Sequence, residues 1–437
     1  MKKQNIFIGG FRFLLISFFS LAFFSCARVS NEGSLAFSLK NGIPVYYKSV
    51  DSTKMASVII CVKGGTLMFG RDYSGIESRL FELMSRGSQK YSYDDLQRLA
   101  YDKHISISRS SAFSGSFFEL SCISNYLDQA LDAFLDCFLR PSFDQTQFDN
   151  MMTECDQGLQ RMQNDPQSLL FYTINKEIYK DHPLGTSASV LPESRSNITM
   201  QNLKEHYAKI LDAKRIFVVA AGDVNLRKLR RALEKSLGKV AVLNDDFSLP
   251  QIPPLKIAGP KISLATPTLP KGSGHIAVAF KSPAIGSPDL PAARIAALAY
   301  DQSLFNIVRT KYGACYTPST SVGFSPAPCG FVFLFRVSDM KNAATYLPEA
   351  EDDFLNGDLE PALLGYVKKY VSSAYQNQTT CASIAGRSAS ALLAFDDIDG
   401  FDKIAEKTRA LTAEEVKKVF KEYWLSNDKR IFEIFGN

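Results

Sequence analysis

Residues Tyr126-Leu127-Asp128-Gln129-Ala130-Leu131-Asp132-Ala133-Phe134-Leu135 return as Tyr346-Leu347-Pro348-Glu349-Ala350-Glu351-Asp352-Asp353-Phe354-Leu355, with each shared residue 220 positions further on. Two weaker matches keep the same order. Thr199 opens a helix leading to Lys214-Arg215-Ile216-Phe217, and Thr412 opens one leading to Lys429-Arg430-Ile431-Phe432, at offsets of 213 and 215. The stretch from Phe113 to Ser124 resembles that from Phe324 to Ser338. Convergent amphipathic helices explain one such match but not three in one order at nearly one spacing. The chain therefore reads as a duplication, and its 437 residues suit two domains.

The boundary falls where helices are hardest to build. Residues 245–274 hold six prolines, with Leu249-Pro250 and Pro253-Pro254 at their centre, and such a segment stays extended. The sequence thus predicts domains at 26–244 and 275–437 around a linker at 245–274. Within each copy, short apolar runs mix with longer amphipathic ones. Asn41-Gly42, flanked by Ala36-Phe37-Ser38-Leu39-Lys40 and Val45-Tyr46-Tyr47, marks a hairpin, and Met55 to Val62 reads as a buried strand. Ser92 and Thr199 stand as helix N-caps, and Thr412-x-x-Glu415 forms a capping box. The expected class is α+β, two tandem domains that are each an antiparallel sheet covered by helices.

The N-terminus reads as an export signal. Lys2, Lys3 and Arg12 precede the apolar run Phe13 to Phe24, then Ser25 and Cys26. The run is short of the about 20 residues needed to span a bilayer. Phe23-Phe24-Ser25-Cys26 resembles a bacterial lipobox, which predicts cleavage after residue 25, acylation of Cys26 and a place in the cell envelope facing the periplasm or exterior. Ordinary signal cleavage with Cys26 as a free thiol is the alternative. Removing the signal leaves 47 basic against 45 acidic residues, which is no footprint for nucleic acid. Cys61, Cys122 and Cys137 read as small core residues, and Cys315 and Cys329 as possible neighbours across a hairpin.

An ordered set of short segments carries a family likeness. Lys40-Asn41-Gly42-Ile43, Val62-Lys63-Gly64-Gly65, Asp181-His182-Pro183-Leu184-Gly185 and Ala221-Gly222-Asp223-Val224 lie in the first copy. Leu304-Phe305, Arg309 and Lys311-Tyr312-Gly313-Ala314-Cys315-Tyr316 lie in the second. On a duplicated chain this set resembles the pitrilysin/insulinase zinc metallopeptidases, which include the mitochondrial processing peptidases. Active members carry His-x-x-Glu-His on the helix after the first long strand, a spacing that puts both imidazoles and the base on one helical face.

Aligned on Gly75 and Gly87, this chain has Ser78 and Glu82 in place of the histidines and Phe81 in place of the base. The third ligand's place falls near Gly158, with Glu154 one turn earlier. The four histidines, His104, His182, His206 and His275, are scattered, and none pairs with another at metal-ligand spacing. The resemblance also implies an Arg and a Tyr, seven residues apart, that reach toward the zinc site of the facing domain and bind substrate oxygens. Arg309 and Tyr316 hold that spacing. Read without the family, they are a helix-end arginine and a core tyrosine.

The chain is thus expected to bind no metal and to be inactive alone. It is expected to act as the non-catalytic, substrate-binding subunit of a heterodimeric zinc endopeptidase in the envelope. Its partners would be a zinc-bearing homologous subunit, a peptide or protein substrate, and the membrane through Cys26. The alternative is a catalytically silent envelope lipoprotein that binds peptides or proteins on the same fold.

Overall fold

A computed structural model describes residues 34–50, 53–323, 329–376 and 378–437; the segment read as an export signal and Cys26 lie outside the described residues. The first half supplies six strands, β1 (Ser34–Ser38), β2 (Pro44–Lys48), β3 (Met55–Lys63), β4 (Ser106–Ser111), β5 (Gly115–Ile123) and β6 (Ile216–Gly222), in the order β1-β2-β6-β3-β5-β4. The second supplies β7 (Ile262–Lys271), β8 (Gly274–Lys281), β9 (Cys315–Val322), β10 (Cys329–Val337) and β11 (Lys429–Gly436), in the order β7-β11-β8-β10-β9.

The two orders superpose as β2-β6-β3-β5-β4 on β7-β11-β8-β10-β9. Each pair keeps its direction: β2/β6 and β7/β11 are parallel and the rest antiparallel. The duplication is therefore structural as well as sequential. Each sheet is mixed rather than wholly antiparallel, because the last strand of each half returns beside an early one, β6 beside β2 and β11 beside β7, after a long helical excursion, the connection a parallel pair requires. The segment read as linker also contains β7. Pro267 and Pro270 fit there because β7 is an edge strand and its unpaired side needs no N–H donor.

The first-half helices are α1 (Ile76–Ser85), α2 (Tyr93–Lys103), α3 (Leu127–Leu139), α4 (Gln145–Asn164), α5 (Pro166–Ile178), α6 (Met200–Ile210) and α7 (Leu226–Lys235). The second-half helices are α8 (Leu290–Leu304), α9 (Leu347–Asn356), α10 (Glu360–Gln376), α11 (Cys381–Phe395), α12 (Gly400–Lys407) and α13 (Ala413–Trp424). Side chains start several of them as the sequence predicts. Ser92 and Asp95 form a reciprocal capping box, as do Thr412 and Glu415, and Thr199 accepts from the Asn202 N–H.

Period-2 alternation divides the core. On β3, Val58, Ile60 and Val62 face the first-half helices, packing with Leu80, Phe81 and Phe134. Ile59 and Cys61 face the other way, onto Cys381, Ala385 and Ala389 of α11. The exchange is reciprocal. Ala277 and Ala279 of β8 face Leu170, Ile174 and Ile178 of α5, while Ile276, Val278 and Phe280 face the second-half core. Each half thus lends a helix to the back of the other's sheet, which ties the halves together. Cys61, Cys122 and Cys137 are buried thiols, as read from sequence. Cys315 faces Val337 at one end of the β9–β10 ladder and Cys329 begins β10 at the other, so the two do not meet across the hairpin.

Candidate functional site: the motif helix and an arginine–tyrosine pair

α1 begins where Gly75 takes a left-handed φ of 84° and its Cβ position is crowded by Val190, so only glycine fits both demands. The helix then carries the three motif positions into three different surroundings. The Ser78 hydroxyl donates to the Ala188 carbonyl at 2.6 Å, which ties α1 to the 186–191 segment. Phe81 is fully buried, edge-on to Phe118 and Phe138. An apolar ring stands where the resemblance places the base, and the sheet-side core has closed over it.

Glu82 is the one charged residue of the three, and it is buried with a side chain only 5% exposed. Arg86 Nη2 stands 2.7 Å from Oε1 and Arg109 Nη2 2.8 Å from the same oxygen. Arg79 Nη1 lies 2.6 Å from Oε2, an ion pair without hydrogen-bond alignment. Arg86 also reaches Glu154, near the expected third-ligand position, at 2.6 Å. Burial alone would push the Glu82 carboxyl up, but the Arg79, Arg109 and Arg86 guanidiniums outweigh it and hold it below its ordinary value.

This donor set does not fit zinc. One carboxylate is saturated by three cations, and a fourth cation would meet their repulsion at a few ångströms. Among the described residues no group of three or more His, Cys, Asp or Glu side chains is arranged to hold a metal. The histidines have other work. His206 Nε2 lies 2.8 Å from the buried Glu77 carboxylate. His182 Nδ1 accepts from the Leu184 N–H, and His275 Nδ1 from the Arg336 N–H. His104 ends α2 in the left-handed region.

The second half presents the opposite character. α8 runs into a π-helical segment, Phe305–Lys311, where the Tyr312 N–H bonds the Ile307 carbonyl five residues back. The wider turn leaves Arg309 between two rings, its guanidinium carbon 4.8 Å from the Phe305 centroid and 4.6 Å from that of Tyr316. Tyr316 is the second residue of β9 and is 58% exposed, so it is no core residue. The structure thus brings Arg309 and Tyr316 together. Among the described residues, no hydrogen bond or ion pair joins either of them to Ser78 or Glu82.

Two family models cover residues 45–190, described as Insulinase (Peptidase family M16), and 197–346, described as Peptidase M16 inactive domain. Together they span well over half the sequence. The chain belongs to the insulinase family of peptidases, M16. Its relatives within that family are distant. The "Non-peptidase homolog YmxG" of Helicobacter pylori is 21% identical over 45% of this chain and 45% of its own length. The beta subunit of the mitochondrial-processing peptidase of Saccharomyces cerevisiae is 21% identical over 59% and 56%, respectively. Bovine cytochrome b-c1 complex subunit 1 is 20% identical over 59% and 53%. The chain spans about half the length of these curated relatives.

Solved structures share the M16 fold more fully. A protein described as a protease from Helicobacter pylori matches with a TM-score of 0.81 at 16% identity, over 93% of this chain and all of that one. A peptidase M16 inactive domain from Pseudomonas fluorescens gives 0.78 at 16%, over 93% and 98%. Within the family, this chain is of the type without the zinc motif: no His-x-x-Glu-His occurs in its sequence.

Sequence reasoning missed two features. Arg79 and Arg86 stand at i−3 and i+4 from Glu82, a helical spacing that was legible, whereas Arg109 comes from β4 and needed the fold. Arg336, the lone charge in the apolar run Phe331 to Val337, was also visible as an exception and was not singled out.

Proposed function

We propose that this chain is the non-catalytic, substrate-binding subunit of a heterodimeric zinc endopeptidase of the cell envelope, held to the membrane through an acylated Cys26. The zinc and the base would come from a homologous partner, and this chain would present Arg309 and Tyr316 to the peptide. One contrast carries the reading. The motif positions of α1 are consumed by packing and ion pairs, whereas Arg309 and Tyr316 remain accessible and fixed in orientation. A cationic donor and a neutral one on a rigid element suit the backbone oxygens of a bound peptide. Relatives named as subunits, of a mitochondrial-processing peptidase and of a cytochrome b-c1 complex, support a role in an assembly.

The test is affinity capture of the protein from its native envelope, with zinc analysis and peptide cleavage assayed on the eluate. Recovery of a zinc-bearing M16 partner together with cleavage supports the subunit role. A lone, zinc-free and inactive protein contradicts it and leaves a peptide-binding lipoprotein.

A further inference from the structure

On β10 the side chains alternate as a half-buried strand requires. Val332 and Leu334 enter the second-half core, while Phe331, Phe333 and Phe335 stack on the opposite face beneath Phe171 of α5. By that alternation Arg336 would enter the core. It does not, because the ladder to β8 slips between Leu334 and Val337. In the slip, Val337 takes the core place at 1% exposure and Arg336 adopts a left-handed φ of 56° with its side chain exposed.

A bulky residue in that region carries backbone strain, held here by the bond from the Arg336 N–H to the buried His275 Nδ1 at 3.1 Å. On the β9 side the register is unbroken. Phe335 faces Thr317 and Val337 faces Cys315, so Arg336 sits opposite Tyr316. Its guanidinium carbon is 5.8 Å from the Tyr316 ring centroid.

Two separate departures from regular backbone, a π-helical turn and a bulge, therefore place one guanidinium each against the same exposed ring. Neither Arg309 nor Arg336 has a carboxylate partner among the described residues, and the Tyr316 hydroxyl has no hydrogen-bond partner there. Like charges gathered without a counter-ion fit an anionic ligand.

We propose that Arg336 is the receptor for a carboxylate borne by the bound peptide, set beside the Arg309–Tyr316 pair that holds the peptide's backbone oxygens. The proposal rests on the peptide-binding reading of this face and names the substrate class it takes. The carboxylate has two sources, the C-terminal α-carboxylate or an acidic side chain. The Arg336 guanidinium supplies the forked donors, and the Arg309 charge against the same ring adds to the positive field there.

The test is fluorescence anisotropy on the mature chain with three labelled peptides: Gly-Ala-Leu-Phe-Ala with a free C-terminus, the same peptide amidated, and an amidated version with Glu in place of Leu. Arg336→Gly removes the guanidinium at a position whose φ glycine adopts freely, so the fold is kept, and an unchanged melting temperature checks it. The free-carboxylate peptide is expected to bind at least about tenfold tighter than its amide, the scale of one charge-assisted bond, and Arg336→Gly to erase that difference. If the amidated Glu peptide recovers the affinity, the receptor takes side-chain carboxylates as well. Equal binding of acid, amide and Glu peptides, or an Arg336→Gly variant that still discriminates, overturns the proposal while peptide binding stands. Failure of all three peptides to bind overturns the peptide-binding reading along with it.

Discussion

Glu82→Gln isolates the charge that organises the first-half motif helix. The substitution keeps volume and removes only the carboxylate that faces Arg79, Arg86 and Arg109 at 2.6, 2.7 and 2.8 Å. Removing one partner of a buried ion pair costs about 3–5 kcal/mol. The three arginine side chains are 24%, 14% and 34% exposed, so water relieves part of their repulsion, and we expect about 2–3 kcal/mol. For a domain of this size that is a fall of roughly 5–10 °C in the melting temperature of the first half, read by scanning calorimetry at pH 7. The pH dependence gives a second, sharper check. The folded carboxyl is held below its ordinary value, so its stabilisation is complete above the usual carboxylate range and is lost as pH falls through the folded value. Glutamine does not titrate, so the gap between wild type and variant should narrow on acidification. A gap under about 1 °C at pH 7, or one that widens in acid, would refute this electrostatic account.

Further outcomes follow from individual residues. Burial raises Asp301 to about 6, against which the Thr320 N–H bond at 2.5 Å works only in part. The penalty for its charge therefore grows as pH rises above the usual carboxylate value and is complete above about 6, so Asp301→Asn should stabilise the protein by about 1–3 kcal/mol at pH 7 and by little near pH 4, measured by urea unfolding. Reinstating the motif as Ser78→His, Phe81→Glu and Glu82→His should leave elemental analysis zinc-free while Arg79, Arg86 and Arg109 remain, and stoichiometric zinc in that triple variant would count against the cation cluster as the obstacle. Ala389 has no exposure where α11 meets β3, so Ala389→Leu should cost about 1–3 kcal/mol by overpacking the contact between halves. Burial, opposed by the Asp165 charge and aided by that of Arg336, lowers His275 below its ordinary value. The bond it accepts from Arg336 is therefore complete above the usual histidine range and lost as pH falls through the folded value, which amide exchange at Arg336 would report.

Where the periodicity was strong the fold was readable in advance. Tyr93 to Lys103 with Ser92 as cap, the two Thr-capped helices and the strands after them occur as the patterns indicate, because each is determined by local spacing and a side-chain cap. The hidden parts depend on contacts between distant segments. Nothing local says that α5 and α11 cross to the other half's sheet, since their small and apolar residues suit any buried helix. β7 was masked by Pro267 and Pro270, which an edge position tolerates. The absence of His-x-x-Glu-His was plain from the four scattered histidines, but the ion-pair cluster needed Arg109 from β4. Arg309 and Tyr316 came through the family likeness, and the structure adds their exposure and stacking. Arg336 shows the limit of pattern reading, since a bulge, not the alternation, decides which face it joins.

The most direct test of the central claim is reconstitution with the zinc-bearing chain recovered from the envelope. Peptide cleavage would be measured with that chain alone, with wild type added and with Arg309→Ala added, while gel filtration confirms that each complex forms. The subunit account predicts weak cleavage by the zinc chain alone, strong cleavage with wild type, and a loss of about 100-fold or more with Arg309→Ala in an intact complex, the scale of a removed transition-state donor. Full cleavage by the zinc chain alone, or with Arg309→Ala, would contradict it.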